Sequence, residues 1–180
     1  MAKRTQQRVG VISDTHGLLR PEAAAALHGS DLIIHAGDIG TQAVLDALQS
    51  LAPVLAVRGN NDIGAWAAGI PATRIVTIGR VPVCVVHDIT QCGTDHGCRV
   101  VISGHSHRPC IEERDGIVFL NPGSAGPRRF SLPVSVARLD LHGSSVSARL
   151  ITLEILRSLP IRRSRQPKPN VGRQRKSIGL

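Results

Sequence analysis

Short polar clusters follow the apolar runs of this chain, and most of the residues in them are of types that bind metal ions. The runs have the composition of buried β-strands. Carboxyl ends of parallel strands meet at one edge of a sheet, so side chains placed there share one crevice. The clusters are Asp14-Thr-His16, Gly37-Asp38, Gly59-Asn60, His87 and Gly104-His105-Ser-His107. The pattern predicts that these residues converge on one site.

The first sixty residues alternate strand and helix patterns. Pro21 begins one helical segment, and Thr41 is placed as the N-cap of the next. A β-α-β-α-β series of this kind implies parallel strands with right-handed crossovers. From about Arg74 the pattern changes to short strands separated by turns. The sequence therefore predicts an α/β (α+β) fold in which a second, more antiparallel sheet packs on the first, with helices outside.

The positive charge of the chain is concentrated at its end. The formal net charge is +9, but eight of the 22 basic residues and none of the 13 acidic ones lie from Arg157 onward. We therefore predict a folded domain over residues 1–156 and a basic, disordered tail over residues 157–180. Such a tail favours weak binding to polyanions, with a solvated extension as the alternative. A nucleic-acid-binding domain is disfavoured because stacking aromatics are scarce.

The remaining composition favours a cytoplasmic protein without membrane association. No uncharged apolar stretch approaches the ~18 residues that cross a bilayer. The segment before the first strand lacks the apolar core of a signal peptide. The four cysteines have no C-x-x-C spacing, which is typical of free thiols in a reducing compartment.

Four of the five clusters also have an interpretation without a metal. Asp14 is of a type that forms turns, and Asp38 is placed to cap the second predicted helix. Asn60 lies in a good β-turn sequence, and His87 could be a hydrogen-bonded edge residue. The metal interpretation explains all of them together. On an extended backbone, the side chains of Asp14 and His16 project to the same side. Mixed carboxylate, amide and imidazole ligands suit borderline transition metals, and their number indicates two ions.

In this order, the clusters resemble those of the calcineurin-like metallophosphoesterases. The closer resemblance is to their small single-domain phosphodiesterase branch, which also includes a retromer scaffold subunit. It extends from about Val9 to Leu153, and it implies a four-layer αββα sandwich with two mixed β-sheets flanked by helices. The strings that carry it are Val11-Ile-Ser-Asp-Thr-His-Gly17, Ile34-His-Ala-Gly-Asp38, Val57-Arg-Gly-Asn60, Ile102-Ser-Gly-His-Ser-His107 and Asn121-Pro-Gly-Ser124.

The resemblance implies a dinuclear metal-dependent phosphodiesterase that acts on a small phosphodiester, as a monomer or small homo-oligomer. A metal-bridging hydroxide would attack phosphorus in line with the leaving oxygen. The expected ions are two divalent transition metals, Mn²⁺ first, with Fe²⁺, Ni²⁺ or Zn²⁺ as alternatives. A non-catalytic scaffold on the same fold is the alternative function. The implied ligands are Asp14, His16, Asp38 and His107 for metal one, and Asp38, Asn60, His87 and His105 for metal two, with Asp38 bridging.

Within that set, the resemblance gives Asp38, Asn60 and His105 catalytic roles. Arg58 and Asn61 are candidate substrate contacts, with a surface ion pair as the alternative for Arg58. Asp62 and the loop over residues 121–124 are candidates for supporting the ligands.

Three positions depart from the family pattern. Asn61 stands where many members have a His, and an amide cannot protonate a leaving alkoxide, so we expect slow turnover biased toward good leaving groups. Asp88 follows His87 where the family usually has Gly, so it could perturb metal two or become an extra ligand. Only 17 residues separate His87 from His105. This short connection predicts a cleft that is open on one side, and it puts the role of His87 in question.

Overall fold

A computed structural model of the chain describes residues 6–93, 97–129 and 131–155. The predicted basic tail over residues 157–180 lies outside these ranges, and its disorder stays a prediction. No helix in the described ranges is long and apolar enough to span a bilayer. In chain order the elements are β1 (Gln6–Ile12), α1 (Pro21–Leu27), β2 (Leu32–His35), α2 (Gln42–Gln49), β3 (Val54–Ala56), β4 (Thr73–Ile78), β5 (Val81–Val86), β6 (Val100–Ile102), β7 (Cys110–Arg114), β8 (Ile117–Asn121), β9 (Ser135–His142) and β10 (Ser145–Thr152).

The first sheet contains the predicted parallel strands. Its order is β10-β9-β1-β2-β3, with β1, β2 and β3 parallel and the β9–β10 hairpin antiparallel. The helices α1 and α2 are the connections between the parallel strands, as predicted. Thr41 stands at the N-cap of α2, although its side chain makes no capping hydrogen bond.

The second sheet is also mixed, with the order β4-β5-β6-β8-β7. Strands β5, β6 and β8 are parallel, while β4 and β7 pair antiparallel at its two edges. Two 3-10 turns, Ala65–Ala67 and Ile89–Gln91, lie in the loops after β3 and β5. The prediction of two mixed sheets is confirmed.

Apolar residues alternate along the strands so that both faces of each sheet are covered. Val9 and Val11 of β1 face the second sheet, whereas Ile12 packs against the helices. On the outer face of the second sheet, Cys84 and Val101 form a smaller cluster. The loop after β5 covers this face, and no α-helix does so within the described ranges. The shortened connection predicted after His87 therefore leaves this layer thin.

The second half of the chain differs from the sequence prediction in three respects. The β9–β10 hairpin extends the first sheet, because β9 pairs with β1 along six residues and buries apolar side chains on both faces. Strand β7 was not predicted, since the segment Cys-Ile-Glu-Glu-Arg is mostly exposed on a sheet edge and lacks an apolar run. Strands β5, β6 and β8 also make the second sheet more parallel than predicted.

Candidate metal centre

Loops from both sheets meet at one edge of the sandwich and bring the seven predicted ligands together. The amide of Asp14 donates to the carbonyl of Gly37 at 3.0 Å, which joins the loops after β1 and β2. The amide of Gly104 donates to the carbonyl of His87 at 2.9 Å, which joins the loops after β6 and β5. The two sheets are connected by the amide of His105, which donates to the Asp14 carboxylate at 3.2 Å.

The backbone of five predicted ligands is left-handed. Apart from Asp115 in the β7–β8 turn, they are the only non-glycine residues with positive φ in the described part of the chain. Such conformations cost about 1–3 kcal/mol each and cluster at functional sites. The prediction that Asp14 and His16 project together from an extended backbone was therefore wrong, because a tight turn brings them together. The five are Asp14 (φ 54°), His16 (φ 46°), Asp38 (φ 53°), His105 (φ 65°) and His107 (φ 59°).

Two glycines are required by the close approach of the loops. A Cβ on Gly37 would lie 2.5 Å from the His87 ring, and a Cβ on Gly59 would lie 2.2 Å from the Asp38 amide nitrogen. Contacts this short are forbidden, so any larger residue would push the ligands apart. These glycines allow three separate loops to surround Asp38.

The first half of the centre consists of Asp14, His16 and His107. The Nε2 atom of His107 lies 3.3 Å from Asp14 Oδ1, and the rings of His16 and His107 are stacked with centroids 5.3 Å apart. One ligand atom from each residue lies within 4.8 Å of the others. These are the spacings expected of ligands around one ion, since metal–ligand distances are about 2.0–2.2 Å.

The second half consists of Asn60, His87 and His105. The Oδ1 atom of Asn60 lies 3.1 Å from His87 Nε2 and also 3.1 Å from His105 Nδ1. The Nδ1 atom of His87 lies 2.8 Å from the carbonyl of Ala36. A carbonyl only accepts, so His87 Nδ1 donates, and neutral His87 presents the Nε2 lone pair to the site. The structure thus brings His87, the ligand put in question by the short connection, into the cluster.

Asp38 lies between the two halves. Its Oδ1 atom is 3.4 Å from His87 Nε2, and its Oδ2 atom is 3.8 Å from His16 Nε2. Asn61 holds this orientation, because its backbone amide donates to Oδ1 at 2.8 Å and its side chain donates to Oδ2 at 2.6 Å. Each carboxylate oxygen therefore faces one half, as the bridging role requires.

The protonation of the ligands follows from burial and from their neighbours. Burial raises the pKa of Asp14 to about 6. Burial would also raise the pKa of Asp38, but hydrogen bonds from His87 and Asn61 outweigh it and hold that pKa well below its usual range. Burial lowers the pKa of His107 to about 4 and also lowers that of His16. Neutral imidazoles and an ionised Asp38 are the forms that bind cations.

His87 differs from the imidazoles of the first half. Burial alone would lower its pKa, but its contacts with Asp38 and the Ala36 carbonyl outweigh burial and raise it. When this imidazole is protonated, its charge compensates the Asp38 carboxylate. A cation bound in the second half would replace this proton.

The site also contains buried polar atoms that fit divalent cations. Asp14 Oδ1, His16 Nε2 and His107 Nδ1 are buried and have no hydrogen-bond partner among the described residues. Buried polar atoms without partners are costly and rare in folded proteins. A cation in the first half would compensate the Asp14 carboxylate and use the imidazole lone pairs. The donor set of the second half, one amide oxygen and two imidazoles beside Asp38, fits a second ion.

Other polar residues position the ligand loops. Asp62 accepts hydrogen bonds from the amides of Gly40 and Gly59, both at 2.8 Å, and so joins the loops after β2 and β3. The Asn121 side chain donates to the Gly104 carbonyl at 2.7 Å and supports the loop that carries His105. These contacts agree with the supporting roles predicted for Asp62 and for the loop over residues 121–124.

The sequence interpretation missed a buried pair beneath the first half. Thr15 Oγ1 lies 2.9 Å from Nε2 of His35 and also donates to the Ile39 carbonyl at 2.8 Å. Burial lowers the pKa of His35 to about 3, so this imidazole is neutral. Its position inside β2 resembles that of an ordinary core residue, and the sequence signal is that Thr15 and His35 lie within two strings that carry the family resemblance.

Asp88 and Arg58 lie at the margin of the second half. Asp88 Oδ1 accepts from the Thr90 amide at 2.9 Å and caps the 3-10 turn, while Oδ2 is 4.0 Å from His105 Nε2. Beside them is an open cleft of about 590 Å³, lined by Arg58, His87, Asp88 and His105 among others. The opening predicted from the short connection therefore lies on the side of the second half.

Several known proteins resemble this chain in sequence or in fold. A sequence profile of the calcineurin-like phosphoesterase superfamily domain matches residues 8–144, a range that contains every predicted ligand. A probable metallophosphoesterase of Methanothermobacter thermautotrophicus is 37% identical over 172 residues, covering 86% of this chain and 99% of that protein. A phosphodiesterase of Methanocaldococcus jannaschii is 28% identical over 138 residues, covering 64% of this chain and 82% of that protein. Vacuolar protein sorting 29 from Cryptosporidium parvum has a similar fold, with a TM-score of 0.72 at 20% identity over 83% of this chain and 92% of that one.

Proposed function

Because this chain belongs to the calcineurin-like phosphoesterase superfamily, we propose that it is a phosphodiesterase with a dinuclear metal centre. The observation that carries the proposal is the position of Asp38, whose two oxygens lie 3.4 Å from His87 Nε2 and 3.8 Å from His16 Nε2. A carboxylate so placed can bind one ion through each oxygen. The related proteins named as a metallophosphoesterase and a phosphodiesterase support the reaction class.

The two halves of the centre would each hold one ion. Asp14, His16 and His107 would complete the first site, and Asn60, His87 and His105 the second. Divalent ions in these sites would lower the pKa of a water molecule and neutralise charge on the phosphate. Mn²⁺, Fe²⁺, Ni²⁺ and Zn²⁺ all accept such mixed oxygen and nitrogen donors, and manganese is the first candidate.

The reaction adds water across one P–O ester bond. The water oxygen forms the new bond to phosphorus, the bond to the leaving oxygen breaks in line with it, and a monoester and an alcohol result. The chain contributes positioning, because Asn61 fixes both oxygens of Asp38 at 2.8 and 2.6 Å. We place Arg58, exposed in the cleft, as a phosphate contact. Asn61 remains a second candidate contact, although its side chain donates to Asp38 here.

The leaving group receives no proton from Asn61, since an amide is not an acid at neutral pH. The Thr90 amide, followed by its hydroxyl, stabilises ionised Asp88 and lowers the pKa of this carboxyl, so Asp88 is not a proton donor either. We therefore propose slow turnover that favours diesters with acidic leaving groups.

The test is hydrolysis of bis-p-nitrophenyl phosphate by the full chain loaded with Mn²⁺, before and after EDTA. Activity should disappear with EDTA, return with Mn²⁺, and be absent in Asp38→Ala and His107→Ala. Retention of full activity in EDTA would exclude a metal-dependent mechanism. The matched control is Asp46→Ala, because Asp46 is an exposed carboxylate on α2 outside the site.

A non-catalytic scaffold remains the alternative, because the fold is shared with vacuolar protein sorting 29. All seven predicted ligands are retained and gathered at one edge, which favours the enzyme. A chain that binds two ions with the expected residues and hydrolyses none of a panel of aryl, alkyl and nucleotide diesters would favour the scaffold.

Three further expectations belong to the proposal. We expect the protein to be cytoplasmic and to be a monomer or a small homo-oligomer. Residues 157–180 are expected to bind polyanions weakly, with an affinity that falls steeply with salt.

A further inference from the structure

We propose that the cleft beside the second half is a subsite for a neutral, nucleoside-sized group that the substrate retains on phosphorus. The inference rests on the proposed function for its reaction, but the subsite is defined by its own residues. The cleft volume of about 590 Å³ is well within the range of small-molecule sites. A diester with two small alkyl groups would leave most of it empty.

Only one side of the centre is open to such a group. The His107 side chain is 14% exposed and that of His105 is 50% exposed. The first half is closed by the loop after β8, where the amide of Gly126 donates to the carbonyl of Asp14 at 3.3 Å and Ser124 is buried. A bulky substituent on the bound phosphate can therefore extend only toward the second half.

One wall of the cleft is apolar and presents a large exposed side chain. Ile63 is 84% exposed, more than any other large hydrophobic residue in the described ranges, and it lines the cleft together with Ala68 and Ala72. Exposure of an isolated isoleucine is common, but here it lies three residues from Asn60 on the wall of the candidate centre. An organic group bound against Ile63 would remove this apolar surface from water.

The segment that forms this wall is anchored to the core, so the position of Ile63 is fixed. Trp66 and Ile70 of the same segment pack into the core beneath α1 and α2. The Ile63 amide donates to the Asn61 carbonyl at 3.0 Å, and the Arg58 amide donates to the Pro71 carbonyl at 2.8 Å. The inner face of the segment is thus anchored while Ile63 faces the cleft.

The charges around the cleft do not favour a second phosphate. One exposed cation, Arg58, and one partly exposed carboxylate, Asp88, line it, while the carboxylate of Asp62 is buried and accepts two backbone amides. With Arg58 placed on the reacting phosphate, the remaining lining is neutral or acidic. The retained group is therefore a nucleoside or an aryl group rather than a polyphosphate.

Binding of the monoester products tests the subsite, because a monoester keeps the retained group and needs no leaving group. The affinities of thymidine 5′-monophosphate, phenyl phosphate and methyl phosphate are measured by calorimetry on the Mn²⁺-loaded full chain. We expect thymidine 5′-monophosphate to bind about tenfold or more tightly than methyl phosphate, as for a partly closed apolar pocket. Phenyl phosphate should lie between them.

Two variants localise the preference. Ile63→Ser should reduce the preference for thymidine 5′-monophosphate to about threefold or less, and Ala72→Phe, which fills the cleft, should do the same by exclusion. The matched control is Ile75→Ser, since Ile75 is also a largely exposed isoleucine, on β4 and outside the cleft. It should keep the wild-type preference.

The outcomes separate this inference from the proposed function. Equal affinities for all three monoesters, or a preference that Ile63→Ser and Ala72→Phe leave intact, would overturn the subsite even if diesters are hydrolysed. If both variants remove the preference for thymidine 5′-monophosphate, the subsite is supported whether or not diesters are hydrolysed. If hydrolysis is then absent, only the proposed function fails.

Discussion

The two halves of the candidate metal centre have similar donors but different surroundings. The first half lies in the interior, with Asp14 fully buried and His16 and His107 only slightly exposed. The second half lies at the mouth of a cleft, where Asn60 and the His105 side chain are exposed. A buried site loses its ion slowly because the ligands must open first, whereas an exposed site exchanges its ion readily. We expect one resident ion and one that shares its coordination with solvent and substrate.

Asp38→Ala should have the largest effect, because it removes the carboxylate whose two oxygens face the two halves. Hydrolysis of bis-p-nitrophenyl phosphate should fall by about a thousandfold or more, as for loss of metal-based activation of water. Metal analysis of the purified variant should show fewer ions per chain than the wild type, because both halves lose a ligand. Loss of activity with two tightly bound ions retained would mean that Asp38 does not bridge the halves.

His107→Ala and His105→Ala should separate the halves. Removal of His107 should prevent tight binding in the first half. Removal of His105 should weaken binding in the second half by about 100-fold or more, because loss of a ligand costs at least as much as loss of a contact that supports one. Mn²⁺ titration by calorimetry should therefore show the high-affinity step lost in His107→Ala and kept in His105→Ala. If both variants lose the same step, the two imidazoles serve one ion.

The ligands of both halves could be predicted from the sequence, because each ligand follows an apolar strand and the order of the clusters resembles a known family. The directions in which the ligand loops turn could not be predicted. His105 and His107 turn to opposite halves through left-handed backbone, with φ of 65° and 59°, which a pattern of apolar residues does not encode. Ile63 gave no signal either, since an isolated isoleucine in a turn becomes informative only when its exposure is known.

Asp14→Asn should test the electrostatic cost of the buried half. Burial raises the pKa of Asp14 from an ordinary value of 3.8 to about 6. The unfolded chain then releases this proton at lower pH than the folded one, so Asp14 makes the metal-free protein less stable as pH rises from about 4 to 6. Above pH 6 the loss of stability caused by Asp14 is complete, and for a pKa shift of this size it amounts to about 2–3 kcal/mol.

The measurement is urea unfolding of the metal-free protein at pH 4 and pH 7. At pH 7 the Asn variant should be the more stable protein without metal, and it should gain little from Mn²⁺, which stabilises the wild type. If the difference in unfolding free energy between the wild type and Asp14→Asn is the same at pH 4 and pH 7, the burial argument is contradicted. Asp46→Asn on the surface of α2 is the control, because its carboxylate is exposed.

Asp88→Gly should have the smallest effect, and it tests whether the open half is altered by its extra carboxylate. Asp88 Oδ2 lies 4.0 Å from His105 Nε2, beyond hydrogen-bond distance, and Oδ1 is occupied by the Thr90 amide. We therefore expect Mn²⁺ affinity of the second half to change by less than about threefold, the scale of an exposed charge pair. Replacement of the capping Asp88 by Gly should cost only about a few tenths of a kcal/mol of stability. A tenfold fall in affinity for the second ion would instead make Asp88 a ligand, and the open half would then have five protein ligands against four in the buried half.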